Sequence, residues 1–371
     1  MHLIQTLYCD GRDGIEQVAR GYARGFPAAG ASITTVARMP DALAADWRAG
    51  GAEVVRGRGL SSLWQGFNPA AVLGWGALMR RRGTAAVICH NGKTHHLFRR
   101  AAPAGTAMVS VCHLDNYRHR VVADVILCLN RAQAADVATL LGPRAAGRGI
   151  AVVANPLALA DLPALAPGDV RIAGRGADAG PLRLGVLCRI VPAKRVDVLV
   201  RAVARLGDMG VAAELAVGGR GTDAERVVDL ARTMGVADRV RLVGWVEDRR
   251  AFLRDLDVYV SAAADEPYGM ALAEAAYYGV PIVAAAAAGP MEQIRDRTDG
   301  RLVPVDDAAS LADAIAGLAA DPAEARGLAM AARASVLRRC DPTRVAASIR
   351  EAISAWRDGA PAERPRTRAA G

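Results

Sequence analysis

The sequence predicts an α/β protein of two parallel-sheet domains, and three observations carry that prediction. The chain has 371 residues, more than a single hydrophobic core ordinarily serves. Short β-rich runs alternate with helical segments, the pattern of a parallel sheet covered by helices on both faces. A Gly/Pro-rich stretch from Leu162-Pro163 to Pro181, with Ala166-Pro167-Gly168 and Gly174-Arg175-Gly176 inside it, interrupts that alternation and suits a hinge or surface loop.

The elements of the first half follow in order. Leu3 to Leu7 reads as a strand, Ile15 to Gly25 as a helix and Ile33 to Val36 as a second strand. Val87 to Cys89, Met108 to Val111, Val125 to Cys128 and Ile150 to Val153 continue the series. The start, Met1 to Asp10, lacks a basic n-region and a long apolar stretch, so it is expected to be a strand and not a signal peptide. In such sheets ligands gather at the carboxyl ends of strands. The Gly-containing loop Asp10 to Glu16, with Gly14, sits at one such end, and His113 at another. His90, Asn91, His95 and His96 form a polar cluster after Cys89, where no Cys or carboxylate completes a metal site. The cluster is expected to line an acceptor cleft, with a surface loop as the alternative.

Composition narrows the class. Hydrophobic residues make up 52% and charged residues 23%, as in a globular protein with a sizeable core, and no run of eighteen apolar residues predicts a membrane span. The six cysteines are scattered without a C-x-x-C, as expected of reduced, buried thiols in a cytoplasmic protein. Residues 1–165 hold 18 Lys+Arg against 10 Asp+Glu, so nearly all of the net +9 lies in the first half. Its arginines are not interleaved with aromatics and no nucleic-acid motif is present, so nucleic acid is not an expected partner. An anionic membrane surface or anionic acceptor fits better. The segment Leu60 to Arg82 joins Trp64, Phe67, Trp75, Leu78 and Met79 to Arg80, Arg81 and Arg82, which predicts a helix lying in a membrane interface, or alternatively an ordinary core-facing helix.

The second half carries the chemistry. Glu266 and Glu274 stand eight residues apart at the junction of the strand Val258 to Ala262 and an Ala-rich helix. Pro267 and Gly269 build a turn whose backbone N–H groups open that helix, a start that favours anions. Leu182 to Asp197 reads as strand, loop and helix, and Arg189 and Lys194 on the loop suit a diphosphate. The strand Glu214 to Val217 runs into Gly218-Gly219-Arg220-Gly221, which does not give the G-x-G-x-x-G of a dinucleotide site. Val240 to Val246, Asp257 to Ala262, Pro281 to Ala284 and Gly289-Pro290-Met291-Glu292 complete the series.

This ordered series, over about residues 182–340, resembles the donor-binding half of the retaining glycosyltransferases of family 4 (glycosyl transferases group 1), which have the GT-B fold. The resemblance implies two Rossmann-like domains facing each other across a cleft. Residues 1–165 would bind the acceptor, 166–181 would be a linker, and 182–340 would bind the nucleotide sugar. A helix over 341–357, opened by Asp341 and Pro342, would cross back to the first domain, and the Pro- and Arg-rich 358–371 is expected to be disordered. It further implies that Arg189 and Lys194 hold the donor diphosphate, that Glu266 binds the hydroxyls of the transferred sugar, and that Glu274 binds the ribose. Tyr268, Gly269 and Met270 would offer amides to sugar and phosphates. Gly14 would belong to the donor site, and His113 would join Arg189, Lys194 and Glu266 in catalysis. One departure is Cys188, where the family usually has Gly. Asp255-Leu256-Asp257 is formally an Asp-x-Asp, but Asp257 matches the family's structural Asp ahead of its strand. The expected reaction is retaining, metal-independent transfer of a hexose-type sugar from a UDP- or GDP-type donor to a cell-envelope saccharide or glycolipid. No cofactor is expected, and the setting would be cytoplasmic, at the inner face of the plasma membrane. An epimerase or phosphorylase of the same fold, or a non-catalytic sugar-nucleotide binding protein, remains the alternative.

Overall fold

The computed structural model describes residues 1–11, 14–57, 60, 68–114, 122–158 and 180–359. The expected linker thus lies almost wholly outside the described residues, as do Arg12, Asp13, Trp64, Phe67 and most of the expected C-terminal tail. The chain divides into two compact units, Met1–Leu162 with Arg339–Gly371, and Pro163–Arg338.

Among the described residues, the first unit has seven parallel strands: β1 (His2–Tyr8), β2 (Ser32–Arg38), β3 (Glu53–Arg56), β4 (Thr84–Cys89), β5 (Ala107–Val111), β6 (Val125–Cys128) and β7 (Gly149–Val152). Their spatial order is β3-β2-β1-β4-β5-β6-β7, so the order reverses between β1 and β4. The helices α1 (Gly14–Ala28), α2 (Asp41–Ala49), α3 (Pro69–Arg82), α4 (His95–Ala101) and α5 (Arg131–Leu141) connect them. Every residue of β5 and β6 is buried, which explains their continuous apolar sequences.

Helix α3 corrects the expectation of a membrane-interface helix. Asn68 caps it by accepting from the Ala71 N–H at 3.0 Å, Pro69 occupies its first turn, and Gly83 ends it in the left-handed region. Trp75 and Met79 point into the core with Val87, Leu97 and Phe98, and Leu78 packs against the same cluster. Trp75 and Phe98 place their ring centroids 5.6 Å apart. Arg82 pairs with Glu53 at 2.7 Å. Trp75, Leu78 and Met79, three of the side chains that suggested a lipid-facing surface, are therefore packed on the sheet, and Leu73 is the large apolar residue of α3 that is widely exposed.

The second unit repeats the architecture with β8 (Leu182–Leu187), β9 (Ala213–Gly218), β10 (Val240–Gly244), β11 (Val258–Ser261), β12 (Ile282–Ala285) and β13 (Arg301–Val303). These six parallel strands take the order β10-β9-β8-β11-β12-β13, reversing between β8 and β11. The helices are α6 (Val196–Asp208), α7 (Ala224–Thr233), α8 (Arg249–Arg254), α9 (Met270–Tyr277), α10 (Ala288–Gln293), α11 (Ala308–Ala320) and α12 (Pro322–Arg339). Val196, Leu199, Val203 and Leu206 form one buried stripe of α6, at the spacing an amphipathic helix requires.

The last helix, α13 (Pro342–Arg357), belongs to the first unit. Asp341 caps it, accepting from the Arg344 N–H at 2.8 Å. It packs on α1, where Gly25 meets the Pro342 carbonyl so closely that a Cβ would collide with it. Arg350 donates to the Ala29 carbonyl and Arg357 to that of Ala85. Among the described residues no helix is long and apolar enough to cross a membrane. Cys9, Cys89, Cys112, Cys128 and Cys340 are buried, and Cys188 is half-buried.

Candidate functional site

The strongest candidate lies in the second unit, where the carboxyl ends of β8 and β11 diverge. These two strands are hydrogen-bonded neighbours, with Val258 paired to Leu184 and Tyr259 to Gly185. The reversal of strand order between them is where ligands bind in open α/β sheets.

The loop after β8 is held by backbone. Cys188 N–H donates to Gly218 O and Ile190 N–H to Arg220 O, both at 3.0 Å, while Asp223 N–H donates back to Ile190 O at 3.0 Å. This close approach requires the glycines of Gly218-Gly219-Arg220-Gly221. A Cβ at Gly219 (φ +136°) would strike the Cys188 carbonyl, and one at Gly221 the Ile190 carbonyl. Residues Pro192–Lys194 then make one 3-10 turn, and Arg195 follows with φ +50°. A 2.9 Å ion pair to Asp306 anchors Arg195.

The loop after β11 is tied to the first. Ala264 N–H donates to Ala193 O at 3.0 Å, and Lys194 Nζ donates to Asp265 O at 2.7 Å and to Glu266 Oε2 at 3.0 Å. Gly269, at φ +94°, turns the chain into α9. From below, Gly289 N–H donates to Glu266 O at 2.8 Å, and any Cβ on Gly289 would collide with Glu266 and Tyr268. The buried Gln293 donates its amide to the carbonyls of Tyr268 and Gly269. With two carbonyls fixed toward Gln293, the N–H groups that open α9 are oriented before any ligand arrives.

A recess lined by Cys188, Lys194, Tyr259, Glu266, Gly269 and Leu272 results. Burial pushes the Cys188 thiol up to about 12, opposed by the Lys194 charge, so it is a neutral wall of the recess. Glu274, on α9, is 6% exposed and accepts from Arg249 Nε at 2.7 Å. Burial raises its pKa, and Arg249 opposes that rise. Arg189 is exposed and has no side-chain partner among the described residues. The assembly holds a cation beside a carboxylate, next to oriented amides, and a second cation, Arg189, follows Cys188 of the lining in sequence. Such parts suit a ligand that carries both phosphates and hydroxyls.

Of the residues singled out in the sequence, the fold thus joins Lys194 directly to Glu266 and sets Gly269 in the same recess. Tyr268 is buried, its carbonyl accepting from Gln293 and its N–H facing Glu266 Oε1 at 3.4 Å, while Met270 is the first residue of α9. Gly14 and His113 belong to the first unit, Gly14 as the exposed first residue of α1 and His113 two residues beyond β5. The expectation that His90, His95 and His96 line a cleft is corrected: His90 and His95 are buried, and only His96 is exposed. Burial and the neighbouring Arg99 lower the His95 pKa to about 4, so it packs as a neutral ring. Asp255 accepts from Arg183 Nη1 at 2.6 Å and Asp257 from Arg183 N–H at 2.9 Å, both engaged in holding the start of β8. Arg249 and Gln293 were not recognised in the sequence, and Gly289 was read there as part of the ordered series, without a role of its own. An Arg beside an Asp cap and a Gln ending a short helix carry no signal of their own.

Residues 173–335 match the family Glycosyl transferases group 1. The chain is 36% identical over 133 residues to a lipopolysaccharide core biosynthesis glycosyltransferase, LpsE, of Rhizobium meliloti, covering 36% of this chain and 38% of that protein. A D-inositol 3-phosphate glycosyltransferase of Mycolicibacterium vanbaalenii is 36% identical over 184 residues, covering 44% of this chain and 40% of its own. The chain thus spans less than half the length of these two relatives. Among solved structures, Anabaena Alr3699/HepE in complex with UDP and glucose superposes with a TM-score of 0.73 at 18% identity, covering 96% of this chain and 100% of that one. The apo lipopolysaccharide outer core galactosyltransferase WaaB superposes at 0.71 and 18% identity, covering 95% and 99%. The two Rossmann-like units therefore have the fold of the GT-B glycosyltransferases, and residues 173–335 carry the match to Glycosyl transferases group 1.

Proposed function

We propose that the protein is a retaining, metal-independent glycosyltransferase of family 4 that moves a hexose-type sugar from a nucleotide diphosphate donor to a cell-envelope saccharide or glycolipid. The observation that carries this reading is the contact of Lys194 with Glu266 beside the amides that open α9. In the absence of donor the two charges satisfy one another. A bound donor would separate their tasks: Lys194 and Arg189 meet the diphosphate, while Glu266 orients sugar hydroxyls. Departure of the diphosphate builds negative charge, which two cations and a helix start are placed to stabilise without a metal. Glu274, steadied by Arg249, would accept from the ribose through its second oxygen. His113 would act on the sugar or the acceptor. UDP-sugars are the first donors to test, because Alr3699/HepE has been solved in complex with UDP and glucose and with UDP-glucose. The lipopolysaccharide core relative supports an envelope acceptor.

The test is a mass-spectrometric screen of UDP- and GDP-sugars for release of nucleoside diphosphate and free or transferred sugar, run with and without EDTA. One donor is expected to turn over equally in both, with the anomeric configuration retained in the product by NMR. Binding of a nucleotide sugar without any turnover would overturn the enzymatic reading. A seat on an anionic membrane surface rests on the basic first half alone. Flotation with anionic liposomes should fall as salt rises, and failure to bind at low salt would remove it.

A further inference from the structure

The first unit holds a buried chain of polar side chains that ends at His113. Gln5, on β1, donates its amide nitrogen to the Ala19 carbonyl at 3.0 Å and to Thr35 Oγ1 at 2.8 Å. A carbonyl can only accept, so the Gln5 nitrogen faces Ala19 and its Oε1 faces the other way, toward His90 Nε2 at 3.1 Å. An amide oxygen likewise only accepts. His90 therefore carries its proton on Nε2 and, as a neutral ring, offers a lone pair at Nδ1. That Nδ1 lies 2.9 Å from His113 Nε2. The hydrogen of this second bond must then come from His113.

We infer that Gln5 and His90 are positioning residues that lock neutral His113 in its Nε2–H tautomer, so that Nδ1 is the ring atom able to accept a proton. The surroundings favour neutral rings. Gln5 and His90 are wholly buried, and the Tyr22 ring lies against His90 with centroids 5.1 Å apart. His113 meets His90 edge to edge, with centroids 5.2 Å apart and 17° between the ring planes, as an in-plane N–H···N bond requires, and is 8% exposed. On the reading that His113 meets substrate, a hydroxyl there would donate to Nδ1. The chain Gln5–His90 would then do for His113 what an orienting group does for any histidine base: fix the ring and decide which nitrogen is basic.

The test begins with histidine tautomers by two-dimensional ¹⁵N–¹H NMR on the full chain. The sequence has six histidines, so the spectrum is small, and His90→Gln and His113→Gln supply assignments. At neutral pH both rings are expected as Nε2–H, and His113 found as Nδ1–H overturns the inference. A second measurement uses Gln5→Glu, whose carboxylate should hold His90 doubly protonated, make His113 Nε2 the acceptor and shift the His113 proton to Nδ1. An unmoved His113 tautomer in a folded Gln5→Glu protein also overturns it. If that variant does not fold, the unsubstituted spectrum decides alone. Turnover separates this inference from the proposed function. With the tautomer exchanged, kcat should fall about tenfold or more while the donor KM stays within about twofold. The predicted tautomers with unchanged turnover would uphold the lock and remove His113 from the reaction.

Discussion

Replacing Arg249 by Met tests what the ion pair with Glu274 contributes inside the second unit. Glu274 is nearly buried and its Oε2 takes the Arg249 Nε–H at 2.7 Å, while the Arg249 side chain is 32% exposed. Removing one partner of a fully buried pair costs about 3–5 kcal/mol, and the exposure of Arg249 reduces this to about 2–3 kcal/mol at neutral pH. For a unit of this size that is a fall in Tm of roughly 4–12 °C. The loss should depend on pH. Burial raises the Glu274 pKa in the fold, so the folded state binds this proton more tightly than the unfolded chain, and its contribution to stability falls as pH rises from the ordinary carboxyl value through the raised one. Without Arg249 the raised value climbs further, so the deficit should grow across that window and shrink as the solution is acidified. Differential scanning calorimetry of the parent, Arg249→Met, Glu274→Gln and the double variant, each at pH 7.5 and 5.5, measures the coupling. Glu274→Gln should recover most of the Arg249→Met loss at pH 7.5. If Arg249→Met costs nothing, or costs as much in the Glu274→Gln background, the pair does not hold the site in the way described.

Lys194→Ala and Arg189→Ala should each weaken UDP binding by about 1.5–3 kcal/mol, measured by titration calorimetry, with circular dichroism unchanged; undiminished affinity in both would take them out of the site. Glu266→Gln should lower kcat more than it raises the donor KM, and the reverse pattern would assign Glu266 to ground-state binding. Gly219→Ala should cost about 2–4 kcal/mol, because it strains a positive φ and drives a methyl into the Cys188 carbonyl. A Gly219→Ala protein with parental Tm would show that the loop after β8 is looser than its hydrogen bonds imply.

Much of the fold was legible because parallel strands buried on both faces leave apolar runs in the sequence. β1, β4, β5, β6, β8 and β11 all lie where such runs occur. The edge strand β3 escaped notice because Glu53 and Arg56 flank only two valines, and β13 because it has three residues. Within the site, the residues on strand-end loops were legible because loop, charge and glycine fall together there. Arg249 was not, since what it does depends on where α8 brings it relative to α9. The histidines after Cys89 were misplaced for a related reason. Local polarity suggested exposure, but His90 finds Gln5 from 85 positions earlier and His113 from 23 later, and these partners make its burial tolerable.

The path of the chain through its two units imposes an order on its making. The first unit ends at Leu162, yet its last helix begins only after the whole second unit, with residues Arg339–Gly371. On a ribosome adding about 5–20 residues per second, that interval lasts roughly 9–35 s. During it, the face of α1 that receives Pro342 at Gly25 stands open, and Val345, Ala346, Ile349 and Ile353 have yet to be made. The nascent first unit must therefore wait with an uncovered apolar groove while its neighbour is synthesised. The second unit, whose residues are consecutive, can fold as it emerges. Closure of the first unit thus waits for the arrival of α13, and a chain cut short at 341 would contain every residue of the recess in the second unit while its first unit lacked closure.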